Sequence, residues 1–177
     1  MSFSVLVATP ITDAMLTSST IAEPAAGESL WVSGGTYALG VEKVDVTNHQ
    51  IYSALVAHSA RTVVPSLDPD YWNKERPTNK WAPFDTTIST ACSAVTSATY
   101  VLRPGFFNCI RIYGANSATV FVQIKDAPGG TVVVSHTEDM QEAPLDWYDW
   151  AFGRIKQKKK FSLTGLTPYP DPELTIT

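Results

Sequence analysis

The sequence predicts an all-β protein: a small β-hairpin module followed by an antiparallel β-sandwich of jelly-roll type, preceded by an extended amino-terminal arm. Three observations lead there. Short runs rich in Val, Ile, Thr, Tyr and Phe recur along the chain and are broken by Gly, Pro, Asn and Asp. Few segments read as helix; ITDAMLTSSTIAE (residues 11–23) could form a turn or two but is rich in Thr and Ser. The spacing of strand and turn through the second half fits a Greek-key or jelly-roll order, with no internal repeat.

The elements follow in order. Residues 1–29 read as the arm: SVLVA (4–8) can pair as a strand, Pro10 stops it, and Pro24 and Gly27 mark a linker. An arm without a second layer cannot bury its own Val and Leu, so it is expected to lie on the rest of the chain or on a neighbour. Residues 30–75 read as the small module. Val44 and Val46 alternate with Asp45 and Thr47 as in a half-exposed strand, Asn48 to Gln50 form a hairpin tip, and IYSALV (51–56) returns. Residues 76–177 read as the sandwich. Its strands are expected at 98–102, 107–113, 118–125, 130–135, 154–163 and 172–176, separated by Pro104-Gly105, Gly114-Ala115-Asn116 and Pro128-Gly129-Gly130. In FNCIRIY (107–113) both faces carry apolar groups, which suits a central strand.

Composition bounds the function. With 177 residues, 44% hydrophobic and 17% charged, the chain can bury a core. A net charge of −4 argues against a general nucleic-acid binder, which needs clustered Lys and Arg. The one basic run, Lys156, Lys158, Lys159 and Lys160, reads as a solvated strand or turn before it reads as a phosphate or lipid contact. No apolar run approaches the roughly 20 residues of a membrane helix, so no membrane insertion is expected. The amino terminus lacks a basic leader and a cleavage site, so synthesis in a cytoplasm is expected. Cys92 and Cys109 fit no CxxC or zinc spacing; buried free thiols are expected, with a disulfide left open.

Catalytic chemistry finds little support. His49, His58 and His136 have no metal spacing and read as surface histidines, so no metal, no cofactor and no catalytic residues are expected. Glu138, Asp139, Glu142, Asp146 and Asp149 gather beside tryptophans in HTEDMQEAPLDWYDW, as carboxylates of a glycosidase do. Carboxylates in a Pro-containing loop more often cap turns or face solvent. Aromatic residues are the stronger signal: Trp31, Tyr37, Tyr52, Tyr71 and Trp72, then Trp81 and Phe84, then Trp147, Tyr148, Trp150 and Phe152. Buried, they fill a core short of aliphatic volume; exposed, they stack on sugar rings. For Trp81 and Phe84 a packed corner is expected, with Asn79 and Asp85 bonding local backbone.

Trp31, Tyr37, Gly40-Val41, the Asn48–Gln50 tip, Tyr52-Ser53-Ala54, Pro65 and Tyr71-Trp72 come in an order that resembles the small chitin- and cellulose-binding modules of family 5/12, with a longer first hairpin at Val44 to Thr47. RPTNKWAPFDTTIST resembles a segment of tailed-bacteriophage virion proteins, and LTGLTPYPDPELTIT resembles the end of a β-sandwich in them. The resemblance runs from about residue 31 to the end. It implies a galactose-binding-like sandwich and a non-catalytic structural component of a virion, associated with tail or neck. Its partners would be other virion proteins and further copies of itself around a symmetry axis, with no nucleic acid. The resemblance to the sugar-binding modules carries over Tyr71 and Trp72 as platform positions. The alternative function is an adsorption protein contacting host surface glycans, in which Tyr71, Trp72 and Trp147 or Trp150 stack on sugar rings and Asp146 and Asp149 bond hydroxyls.

Overall fold

A computed structural model describes residues 8–87, 90–154 and 156–177. Its strands are β1 (Leu16–Ser19), β2 (Thr36–Tyr37), β3 (Glu42–Asp45), β4 (Gln50–Ala54), β5 (His58–Ser59), β6 (Trp72–Pro77), β7 (Tyr100–Leu102), β8 (Cys109–Tyr113), β9 (Thr119–Lys125), β10 (Val132–Asp139), β11 (Lys160–Thr164) and β12 (Glu173–Ile176). One α-helix, α1, spans Trp147–Phe152. The chain is therefore mostly strand, arranged in several antiparallel sheets, which is the all-β class the sequence predicts.

The strands form two compact units, and these are nested rather than consecutive. One is Thr20–Thr96; the other joins the described residues up to Ser19 with Ser97–Thr177. The nesting has a simple cause. Strand β1 pairs antiparallel with β7, with Ser19 opposite Tyr100, so the chain leaves this sheet and re-enters it at neighbouring positions. An inserted unit is tolerated where its two ends already lie together.

This corrects two expectations. Residues 8–29 are not an extended arm. Leu16–Ser19 is a strand of the second unit's sheet, Arg103 N–H donates to Met15 O at 2.7 Å, and the Glu23 and Glu28 side chains are hydrogen-bonded within the first unit. The strand expected at 4–8 lies, apart from Ala8, outside the described residues. The boundary expected after residue 75 falls instead after Thr96, because Trp72–Pro77 is the third strand of the first unit's sheet and Thr78 beyond it is fully buried.

In the unit Thr20–Thr96, β3, β4 and β6 form an antiparallel sheet and β2 pairs with β5. The β3–β4 hairpin turns over residues 46–49, where His49 takes the left-handed conformation at φ 55°. Asp45 holds this turn from inside: its carboxylate accepts from Thr47 N–H at 3.0 Å, Asn48 Nδ2 at 2.9 Å and Ser66 Oγ at 3.2 Å. That network explains how a carboxylate only 6% exposed is tolerated. Aromatic rings supply most of the core: Tyr37, Tyr52, Ala54 and Trp72 are buried together, with Trp31, Val41 and Tyr71 packed against them. A unit this small has few aliphatic side chains to spare, and each aromatic hides about 150–250 Å². The Tyr37 hydroxyl, buried among them, donates to Val32 O at 2.7 Å and accepts from Val32 N–H at 2.8 Å, which closes the loop before β2.

The other unit carries a five-stranded sheet in the order β1-β7-β12-β9-β10 and a two-stranded sheet of β8 and β11. In β9 the period of two is plain: Val120, Val122 and Ile124 are buried, and Phe121 and Gln123 between them are partly exposed. Tyr100 and Leu102 on β7 and Leu174 on β12 are buried with them. Strand β8 is not the two-faced central strand expected of residues 107–113. Among the described residues it pairs with β11 alone; Ile110 is buried and Cys109 half-buried, whereas Arg111 is exposed and Tyr113 is 57% exposed. An outer strand buries one face more fully than the other.

One glycine tests the first unit's core. A Cβ at Gly35 would run into the Tyr37 ring and its hydroxyl, and that ring is fixed by packing and by Val32. Gly35→Ala is expected to destabilise this unit by about 1–3 kcal/mol, as overpacking does. Chemical denaturation followed by tryptophan fluorescence measures it.

Candidate functional site

The four residues expected to stack on sugar divide into two pairs with opposite surroundings. Trp72 opens β6 and is 3% exposed. Its ring meets Tyr37 edge-on at 5.1 Å and His58 at 5.0 Å, and its buried indole nitrogen has no hydrogen-bond partner among the described residues. Tyr71 beside it is half-buried, and the Arg61 guanidinium lies 3.5 Å from the centre of its ring. Arg61 is held there by a forked pair to Asp68, at 2.7 and 2.9 Å. The same Asp68 hydrogen bond is the main reason the Arg61 pKa is raised. Trp72 is a core residue and presents no open platform, because a unit with so little aliphatic volume uses its rings for packing; Tyr71 packs against that core, with Arg61 over its ring.

The corner after β6 is built around Glu23. Its carboxylate, 7% exposed, accepts from Thr78 Oγ1 at 2.7 Å, from His49 Nδ1 at 2.9 Å and from Trp81 Nε1 at 3.1 Å. His49 stacks on Trp81 with ring centres 4.2 Å apart, and Phe84 meets Trp81 edge-on at 5.8 Å. Asn79 pairs reciprocally with the Ser93 backbone, at 2.7 and 2.8 Å, and its own N–H donates to Glu28 at 2.9 Å. Asp85 accepts from Thr86 N–H at 2.6 Å and from Thr90 Oγ1 at 3.1 Å. The segment PTNKWAPFD is thus a packed corner whose polar side chains bond backbone and one buried acid. Sequence reasoning missed Glu23, since nothing near it in the chain hints at partners 26 to 58 residues away.

Two of the three histidines depart from the expected surface position: His49 belongs to this corner and His58 is wedged among Tyr37, Tyr71 and Trp72. His136 lies at the surface as expected, its side chain 41% exposed, with one face against Phe161 at 5.7 Å. An imidazole is flat and apolar on its faces, so it packs against rings while one nitrogen finds an acceptor. Cys92 and Cys109 are free and half-buried. Among the described residues, no three His, Cys, Asp or Glu side chains gather to hold a metal ion.

Trp147 and Trp150 are different. Both are 71% exposed on α1, beside Tyr148 and Phe152 at 68% and Leu145 at 87%. Their position follows from the local sequence. Asp146 is the N-cap and accepts from Asp149 N–H at 2.8 Å, while the Asp149 carboxylate accepts from Leu145 N–H, one residue before the cap, at 3.1 Å. Gly153 ends the helix, its N–H donating to Asp149 O at 2.8 Å. Below the helix the loop is drawn into a neck: Glu142 N–H donates to Lys156 O at 2.9 Å and Lys158 N–H to Met140 O at 2.7 Å. Met140, fully buried, anchors the neck. No residue of α1 is buried, so the helix stands on its caps, its neck and ring contacts such as Trp147–Phe152 at 6.1 Å.

The neighbouring carboxylates serve structure. Glu138 accepts from Lys158 Nζ at 2.6 Å and lies 3.4 Å from His136 Nε2. Lys158 first and His136 second hold its pKa below the usual glutamate value, and Glu138 in turn raises that of Lys158. Asp139 caps Gln141 N–H at 2.8 Å, and Asp146 and Asp149 cap the helix. Compared with protein-family models and with curated proteins, the chain matches none.

Three outcomes are expected. Trp72→Ala should cost about 3–5 kcal/mol, as for other buried aromatics, whereas Trp147→Ala and Trp150→Ala should stay within about 0.5 kcal/mol of the parent; urea melts of the three compare them directly. Glu23→Ala orphans the buried donors of Thr78 and Trp81 and should cost about 3 kcal/mol in the same melts. Because the Glu138 pKa is depressed in the fold, its ion pair is formed at pH values above the ordinary glutamate pKa and is lost as pH falls through the depressed one. In Lys158→Met the Glu138 midpoint, followed by carboxyl NMR, should rise towards the ordinary value.

Proposed function

We propose that this chain is a non-catalytic structural component of a tailed-bacteriophage particle, associated with tail or neck and present in repeated copies beside other virion proteins. In this reading the unit closed by Ser97–Thr177 is a jelly-roll-type sandwich of the galactose-binding-like kind. The observation that carries the proposal is the use made of PTNKWAPFD, the segment with the distinctive resemblance to such proteins. Its Thr78, Trp81, Asn79 and Asp85 are spent on a rigid corner around Glu23 and leave nothing for a substrate. A signature devoted to rigidity suits a building block.

Contact between copies does not need the amino-terminal segment, since residues 8–29 are engaged within their own chain. Strand β10 supplies a better surface. Among the described residues it is the edge of the five-stranded sheet, eight residues long, and its Val132, Val133, Ser135 and Thr137 are exposed. An edge strand presents unpaired N–H and C=O groups, and a strand from a neighbour satisfies them. Cyclic repetition would multiply such contacts.

Purified phage particles probed with gold-labelled antibody against this chain provide the test. Regular labelling of tail or neck is the expected result, and particles that lack the chain would overturn the reading. A second reading, adsorption to host glycans, is favoured by the 71% exposure of Trp147 and Trp150. In that case a glycan array would show binding that is lost in the Trp147→Ala/Trp150→Ala double variant.

A further inference from the structure

We infer that the β10–β11 loop is a peripheral docking site for an anionic phospholipid surface, with the α1 aromatics entering the headgroup layer and the following cations meeting lipid phosphates. The inference stands apart from the virion reading and does not require it.

The first observation is energetic. Five large apolar side chains, Leu145, Trp147, Tyr148, Trp150 and Phe152, are each 68% exposed or more within eight residues. Holding so much apolar surface in water is unfavourable, and a folded chain keeps such a patch where a partner covers it. A six-residue helix is too short to be stable by itself, yet this one is capped at both ends and carried on a hydrogen-bonded neck. The rings are displayed by construction.

The second observation is charge. Immediately after the rings, Arg154, Lys156, Lys158, Lys159 and Lys160 place five cations in seven residues. Lys158 is taken by Glu138 and Lys156 lies 3.6 Å from Asp149. Arg154, Lys159 and Lys160 are exposed and have no carboxylate within ion-pair distance among the described residues; Lys159 meets only the neutral Asn116 and Gln157. Trp and Tyr favour the bilayer interface, and basic residues beside them add attraction to anionic headgroups. Among the described residues no helix is long and apolar enough to cross a membrane, so the contact is one of docking.

The geometry favours lipid over sugar. A sugar site pairs a flat, open ring with polar side chains free to bond hydroxyls. Here Phe152 stands edge-on to Trp147, and tilted against Tyr148 at 5.2 Å, so the rings cluster among themselves. Asp146 and Asp149, beside and within the helix, are committed to capping it.

The test uses the full chain with vesicles of phosphatidylcholine alone and vesicles enriched in phosphatidylglycerol, read by flotation and by quenching of tryptophan emission with brominated lipid. Co-flotation with the anionic vesicles and quenching are expected. Trp147→Ala/Trp150→Ala should abolish both signals. Arg154→Gln/Lys159→Gln/Lys160→Gln should weaken anionic binding on the order of a hundredfold, from the usual contribution per cation. All five positions are exposed, and melting curves matching the parent show that the variants fold. No flotation with either vesicle overturns the inference, as does equal binding to both vesicles that survives the triple variant. Binding to a glycan array in place of vesicles overturns it in favour of the sugar reading.

Discussion

Glu23 is the residue on which the first unit turns. Three donors from three places converge on one carboxylate: His49 from the β3–β4 hairpin, Thr78 from the end of β6 and Trp81 from the corner beyond it. Lys80 stands 3.9 Å away. A charge held at 7% exposure is tolerable only when its lone pairs are filled, so the acid and its donors require one another. The segment that enters this unit is thereby tied to the segment that leaves its sheet.

That tie explains the nesting of the two units. The chain departs from β1 at Ser19 and returns to β7 at Tyr100, and these residues are opposite one another in the ladder. Between them the inserted unit must begin and end close together. Glu23 and Glu28 near its start bond Thr78, Asn79 and Trp81, and the Asn79 side chain in turn bonds the Ser93 backbone near its end. Rings then complete a core that a unit of this size could not fill otherwise.

The second unit treats its tryptophans in the opposite way. Its core is aliphatic, built from Val120, Val122, Ile124, Met140 and Leu174 with Tyr100 and Phe161. It therefore has no need of the α1 rings, and the loop between β10 and β11 carries them outward on a closed neck. The same residue type thus fills a core in one unit and faces water in the other. The difference lies in how much aliphatic volume each unit has, and it is why the first unit's tryptophans are structural while Trp147 and Trp150 are available to a partner.

Much of the strand pattern was legible in the chain. Alternation in residues 118–125, the Gly and Pro breaks, and the Asn48-His49 turn all depend on local periodicity and backbone preference, which a sequence displays directly. The acids around α1 could likewise be read as caps from their spacing. Burial of Tyr71 and Trp72 could not, because a tryptophan has the same appearance in a core and on a platform. Nor could the place of residues 16–19: LTSS has no strong strand signal and becomes one only because β7 offers an edge. Local chemistry determined which stretches extend and where they turn. Only tertiary structure decided which rings are hidden and that one unit sits inside the other's sequence, since both depend on hydrogen bonds between residues far apart in the chain, Glu23 to Trp81 and Ser19 to Tyr100.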